Sequence, residues 1–207
     1  MSQKTELVYP AFYAEVPRIR LRDPLAEFLG AAQGGLLEYG YLDAVKLAGH
    51  SCPTVAGAWL MASRALAALY PDSLPLRGEI RVELRGTQDA GTVGVVGAVL
   101  GLITGAASDG GFKGLGGQHV RRDLLKFGVD IAAEARFSRL DSGASVLVDY
   151  HPEAVPPSPD LPPLMARVVG GVANAEERTT FGQLWQARVH RILLQESDAP
   201  TLVLRAN

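Results

Sequence analysis

A single cysteine, Cys52, occurs in the chain, and a histidine precedes it by two residues in Gly49-His50-Ser51-Cys52-Pro53-Thr54. Imidazole and thiolate both bind metals, and the thiolate is also the nucleophilic form of cysteine. Pro53 suits the first turn of a helix, where its missing N–H costs nothing. The residue before a proline is pushed to the extended geometry that an N-cap needs. Val55, Ala58, Trp59, Ala62, Leu66 and Leu69 then recur at helical spacing. Cys52 is therefore expected at or beside the N-cap, where the positive end of the helix dipole favours thiolate over thiol. Two ligands do not complete a zinc site, which takes four, or three and a water. The plainer reading is a buried cysteine beside a histidine satisfied by a backbone carbonyl.

A third ligand has to come from elsewhere. His119 follows the glycine-rich stretch Gly105–Gly117 and can be delivered to a pocket, whereas His151 and His190 read as surface residues. Asp89 is a possible oxygen ligand or a cap for the next helix. The glycine-rich loop can converge backbone N–H groups on an anion, with Phe112 stacking on a flat ligand and Lys113 and Gly114 at its centre. A loop closing over the core or over a dimer interface is the plainer alternative. Asp123 and Lys126 are spaced as a local ion pair. No Walker motif, Gly-x-Ser-x-Gly, Cys-x-x-Cys or His-Glu-x-x-His occurs.

Several elements must position these residues. Asp23 can cap a short helix that has Pro24 first and Leu25, Phe28 and Leu29 on one face. Leu36 to Ala48 mixes strand and helix periods, and its tyrosines and valine favour a strand. Gly78 to Arg85 alternates as a half-buried strand. Thr92 to Ile103 is an apolar helix with Gly94, Gly97 and Gly101 on nearly one face. Phe127 to Phe137 alternates without a break, and Val146, Val148 and Tyr150 return after the Asp141-Ser142-Gly143 turn, which predicts a hairpin. A proline-rich linker over 152–163 separates a core of residues 1–151 from a C-terminal arm of residues 164–207. In that arm a short helix from Leu164 stops at Gly170-Gly171. Asn174 and Glu177 have capping-box spacing before a long helix through Phe181, Trp185 and Leu193. The expected class is α+β, with a mixed or antiparallel sheet packed with helices and a C-terminal helical arm lying on its own or a partner's core.

The 207 residues suffice for one domain with a substantial core. A hydrophobic fraction of 47% and a net charge of -2 argue for a soluble, cytoplasmic protein without nucleic-acid or membrane partners. One cysteine excludes an internal disulfide framework and suits a reducing compartment. Neither the N-terminal residues nor the apolar run 92–103 has the length and composition of a signal peptide or a membrane span.

Four stretches together resemble the formylmethanofuran dehydrogenase E-subunit family. Gly49-His50-Ser51-Cys52-Pro53 is similar to the family's Gly-His-x-Cys-Pro-Gly. Asp89-Ala90-Gly91, a helix and Thr104-Gly105 follow, where the family has Asp-Ala-Cys and Thr-Gly-Cys. Asp123 with Lys126 is like its Asp-x-Gly-Lys, and Leu164 through Glu177 to Leu193 is like its helical arm. The resemblance implies an α+β homodimer that holds zinc or another transition metal at the His50 and Cys52 positions. Gly91 and Ala106 replace family cysteines, so His119, from the same chain or a second copy, would be the compensating ligand. The functional expectation is a metal- or cofactor-binding accessory or carrier in one-carbon or redox metabolism. The alternatives are an enzyme acting through Cys52 or a metal-bound water on a small flat or anionic substrate, and a haem protein ligated by His50 or Cys52.

Overall fold

The computed structural model describes residues 7–195 and 201–206. Pro10, Pro17 and Pro24 lead to an irregular stretch being expected from Met1 to Asp23; residues 1–6 of it lie outside the described residues, and Ile19–Arg22 is a strand instead.

An antiparallel pair opens the chain, β1 (Ile19–Arg22) against β2 (Leu36–Tyr39), with α1 (Pro24–Phe28) between them. The Asp23 carboxylate accepts from the Leu25 and Ala26 amides at 2.9 and 3.2 Å, as expected of a cap. Phe28 and Leu29 lie largely in solvent rather than on a buried face. The strand expected over Leu36–Ala48 is split, because Gly40 ends it and α2 (Tyr41–Ala48) begins. The deciding contact is local: the Asp43 carboxylate accepts from the Gly40 amide at 2.8 Å, closing a first helical turn. Tyr41, Ala44 and Val45 then share a buried helical face.

The second sheet has strand order β4-β3-β5-β6-β7, formed by β3 (Ile80–Leu84), β4 (Leu125–Lys126), β5 (Ala135–Arg139), β6 (Ser145–Tyr150) and β7 (Leu202–Ala206). Only β3 and β4 run parallel. The β5–β6 hairpin turns at Asp141-Ser142-Gly143 as its alternation predicts. The unbroken strand expected from Phe127 is not formed. Gly128 adopts φ 67° and turns the chain, so the ladder starts only at Ala135. Val129, Ile131 and Ala133 instead pack against Leu147. β7 carries no turn or periodicity signal strong enough to announce it, and the β6 edge recruits it into the sheet.

Helix α3 (Pro53–Leu69) is the axis of the core. It packs on β5, β6 and β7, and on α2 and α4 (Val93–Thr104). Trp59, Met61 and Leu66 on α3 are buried together with Leu100, Ile103 and Phe137. The glycine face is one on which close approach of another backbone is expected: Gly101 admits the Ala106 carbonyl, whereas Gly97 admits the Phe127 ring, a side chain. The arm helix α5 runs Leu161–Val169 and starts inside the expected linker, since Pro162 and Pro163 fit its first turn. The linker is pinned: Arg188 donates to the Val155 and Pro152 carbonyls at 2.7 and 2.8 Å. The Asn174–Glu177 capping box starts α6 (Ala175–His190), and a π-helical turn, Arg191–Gln195, ends it.

Candidate functional site

Cys52 caps α3 as the sequence predicts: its Sγ accepts from the Val55 amide at 3.5 Å. Cys52 as a whole is 9% exposed within the core cluster. His50 faces solvent, and its Nδ1 meets the Ala48 carbonyl at 2.9 Å. The residue between them is the most heavily bonded of the three. Tyr41 Oη and Ser51 Oγ are 2.9 Å apart. The Ser51 carbonyl accepts from Trp185 Nε1 at 2.9 Å and Gln186 Nε2 at 3.2 Å, and Tyr13 donates to Gln186 Oε1 at 3.0 Å. Helix α6 thus holds the motif from outside.

The expected metal ligands do not converge. His119 adopts φ 57° and stacks near Phe28 at 5.6 Å, beside Gly78, Glu79 and Leu140. Among the described residues no three His, Cys, Asp or Glu side chains form a group that could hold a metal ion. His50, Cys52 and His119 of one chain therefore do not fit the metal that the family resemblance implies. His151 pairs with Glu153 at 3.1 Å, and the His190 ring packs edge-on against Phe12.

The loop residues expected to bind a ligand are also dispersed. Asp89 is exposed beside Thr87, whose hydroxyl holds its carboxyl below the usual range. Phe112 and Lys113 are exposed, and Gly114 at φ 86° lets the loop pass the Gln118 carbonyl. The Phe112 carbonyl accepts from the Arg121 and Arg122 amides, so the loop closes on itself. Asp123 pairs with Arg122 at 3.0 Å rather than with Lys126.

Next to the motif, on the other side of the α3 N-terminus, lies a cavity of about 290 Å³. Its polar wall is Thr54, Arg85, Thr92, Glu134 and Tyr150. Met61, Leu84, Val93, Val96 and Pro152 form the apolar wall. Two helix N-termini, those of α3 at Thr54 and α4 at Thr92 and Val93, reach it. The sheet brings the charged pair together. Beyond the β3–β5 ladder the Arg85 amide donates to the Glu134 carbonyl at 3.0 Å. Among the described residues no hydrogen bond engages the Arg85 guanidinium. Glu134 Oε2 accepts from the Tyr150 amide at 3.1 Å. Glu134 is exposed by area, but partial desolvation of its carboxyl raises it above the usual range, against the lowering effect of that amide, and the nearby Asp149 charge adds to the rise. Burial likewise raises the Tyr150 phenol, which donates to the Pro53 carbonyl at 2.8 Å.

No known family profile matches the chain, and no curated protein does.

Arg85 and Glu134 carried no sequence signal, since each is simply the polar partner in an alternating run. Only the pairing of residues 49 apart makes them neighbours. Chemically, the cavity offers one cation, one carboxyl raised above its usual range, hydroxyls from Thr54 and Thr92, and an apolar wall. Such a site can hold and orient a small polar organic molecule.

Proposed function

We propose that the chain is a small-molecule-binding protein whose ligand occupies the Thr54–Arg85–Glu134–Tyr150 cavity. It serves an accessory or carrier role in one-carbon or redox metabolism, the role suggested by its resemblance to the formylmethanofuran dehydrogenase E-subunit family. The observation that carries the reading is Arg85, a cation on a cavity wall whose guanidinium has no hydrogen-bonding task among the described residues. The family's metal chemistry at His50 and Cys52 gains no support from the donor geometry. Ligand-observed NMR against small acids, amines and neutral heterocycles tests the proposal. At least one class binds the wild type, and Thr54→Phe or Val96→Phe, which fill the cavity, abolish that signal while circular dichroism stays native. No binding by any class, or binding that survives both substitutions, overturns it.

We also propose that the protein is a homodimer. Val169 and Val172, at and just after the end of α5, are 80% and 65% exposed, and Met165 is 39% exposed, leaving apolar surface for a second copy to cover. Light scattering coupled to size exclusion is expected to give twice the chain mass, and Val169→Glu to reduce it. A wild-type monomer across micromolar concentrations refutes the dimer.

A further inference from the structure

The ligand class follows from how the cavity is charged, if the cavity is the ligand site proposed above. We propose that it binds a small organic monoanion with a short apolar tail, and that Glu134 accompanies the anion in its protonated, hydrogen-bond-donating form. Arg85 supplies the counter-charge, and its guanidinium presents a planar fork suited to carboxylate or sulfonate. Thr54 and Thr92, each at a helix start, add hydroxyl donors where the helix dipoles favour negative charge. Met61, Val93 and Val96 would take the tail.

An anion and an ionised Glu134 would repel one another inside this cavity. The groups around Glu134 decide how that repulsion is relieved. Asp149 accepts from the Glu134 amide at 3.0 Å and is paired with Arg205, so its charge is partly compensated. His151 and Arg85 favour the ionised form of Glu134. Once the anion claims Arg85, that support is withdrawn. The anion's own charge and that of Asp149 then favour the neutral form, and the carboxyl takes up a proton. Binding is consequently coupled to proton uptake. Affinity is highest where Glu134 is protonated and falls as pH rises through its titration. Tyr150, whose surroundings include Cys52, Glu153 and Arg188, keeps its proton throughout and contributes no pH dependence near neutrality.

The test is isothermal titration calorimetry with 1-propanesulfonate, butyrate and the neutral isostere butyramide, over a pH series. The sulfonate stays ionised throughout, so any slope belongs to the protein. The expected result is binding of both anions and at least about tenfold weaker binding of the amide. Sulfonate affinity falls by up to about tenfold per pH unit above the Glu134 titration. Arg85→Met loses the anions about tenfold or more, and Arg85→Lys recovers part of the loss. Glu134→Gln, which keeps an oxygen for the Tyr150 amide, binds the sulfonate with a flattened pH profile. Three results overturn the inference: butyramide binding as tightly as the anions, a wild-type affinity indifferent to pH, or an unchanged slope in Glu134→Gln. Each leaves the cavity standing as a ligand site. Neither anion binding while the cavity-filling variants still abolish some other ligand also overturns the monoanion. No ligand of any class overturns both proposals.

Discussion

Asp23→Ala is expected to destabilise the protein by about 3–5 kcal/mol, the usual cost of breaking a buried ion pair from one side. The Asp23 side chain is nearly inaccessible and holds two guanidinium groups at once, Arg77 at 2.8 Å and Arg121 at 2.6 Å. Arg121 is itself only 6% exposed, and its second terminal nitrogen has no partner among the described residues. Removing the carboxylate leaves that guanidinium buried and unpaired and also takes away the cap of α1. A loss of this size is a large part of the about 5–15 kcal/mol that holds a domain folded. Urea denaturation at neutral pH measures it. A cost below about 1 kcal/mol would show that the network is not a structural centre.

The same carboxylate predicts an acid limb. Burial alone would push Asp23 up. The Arg77 hydrogen bond, the Ala26 amide and the charges of Arg121 and Arg77 outweigh it and hold the group below the usual carboxylate range. A folded-state value lowered in this way contributes stability that is complete above about pH 4, where an unfolded aspartate titrates. That contribution is lost as pH falls through the folded-state value. In Asp23→Ala the acid limb should flatten over that window.

Gly57→Ala should also destabilise, by about 1–3 kcal/mol, although glycine inside a helix ordinarily costs about 1 kcal/mol relative to alanine. The reversal comes from Tyr150. A Cβ on Gly57 would stand 2.2 Å from Tyr150 Cε1 and 2.5 Å from Cδ1 and Cζ. The ring cannot easily give way, because its hydroxyl is bonded to the Pro53 carbonyl and its backbone to β7. Moving it also reshapes the cavity wall, so ligand binding should fall with melting temperature. Gly110→Ala is the control: its Cβ would meet nothing within 4 Å, and both properties should hold. A Gly57→Ala protein as stable as the Gly110→Ala control would refute the clash.

What could be read from the sequence was what neighbours in the chain decide. Pro53 announced the cap at Cys52, Asn174 with Glu177 announced α6, and Asp141-Ser142-Gly143 announced the hairpin. Each is a contact between residues a few positions apart. Where a single local bond competed with periodicity, the bond won: Asp43 on the Gly40 amide cut a strand short, and Gly128 turned the chain out of the ladder. His50 followed the plainer reading, since a ring nitrogen two residues from a free carbonyl has a ready partner. The cavity was illegible for the opposite reason. Arg85, Glu134 and Tyr150 meet only through strand register, and register is set by the whole sheet. β7 was missed for the same cause.

The two hydrogen bonds to the Ser51 carbonyl give the protein a built-in optical readout. It has two tryptophans, and they belong to different parts of the fold. Trp59 is 1% exposed in the core of α3 beside the Tyr41 ring. Trp185 sits on α6 with its indole N–H committed to Ser51. Breaking that bond acts directly on the Trp185 indole, while Trp59 senses the core around it. Emission from a Trp59→Phe protein would therefore follow release of α6 from the Cys52 loop, and emission from Trp185→Phe would follow melting of the core.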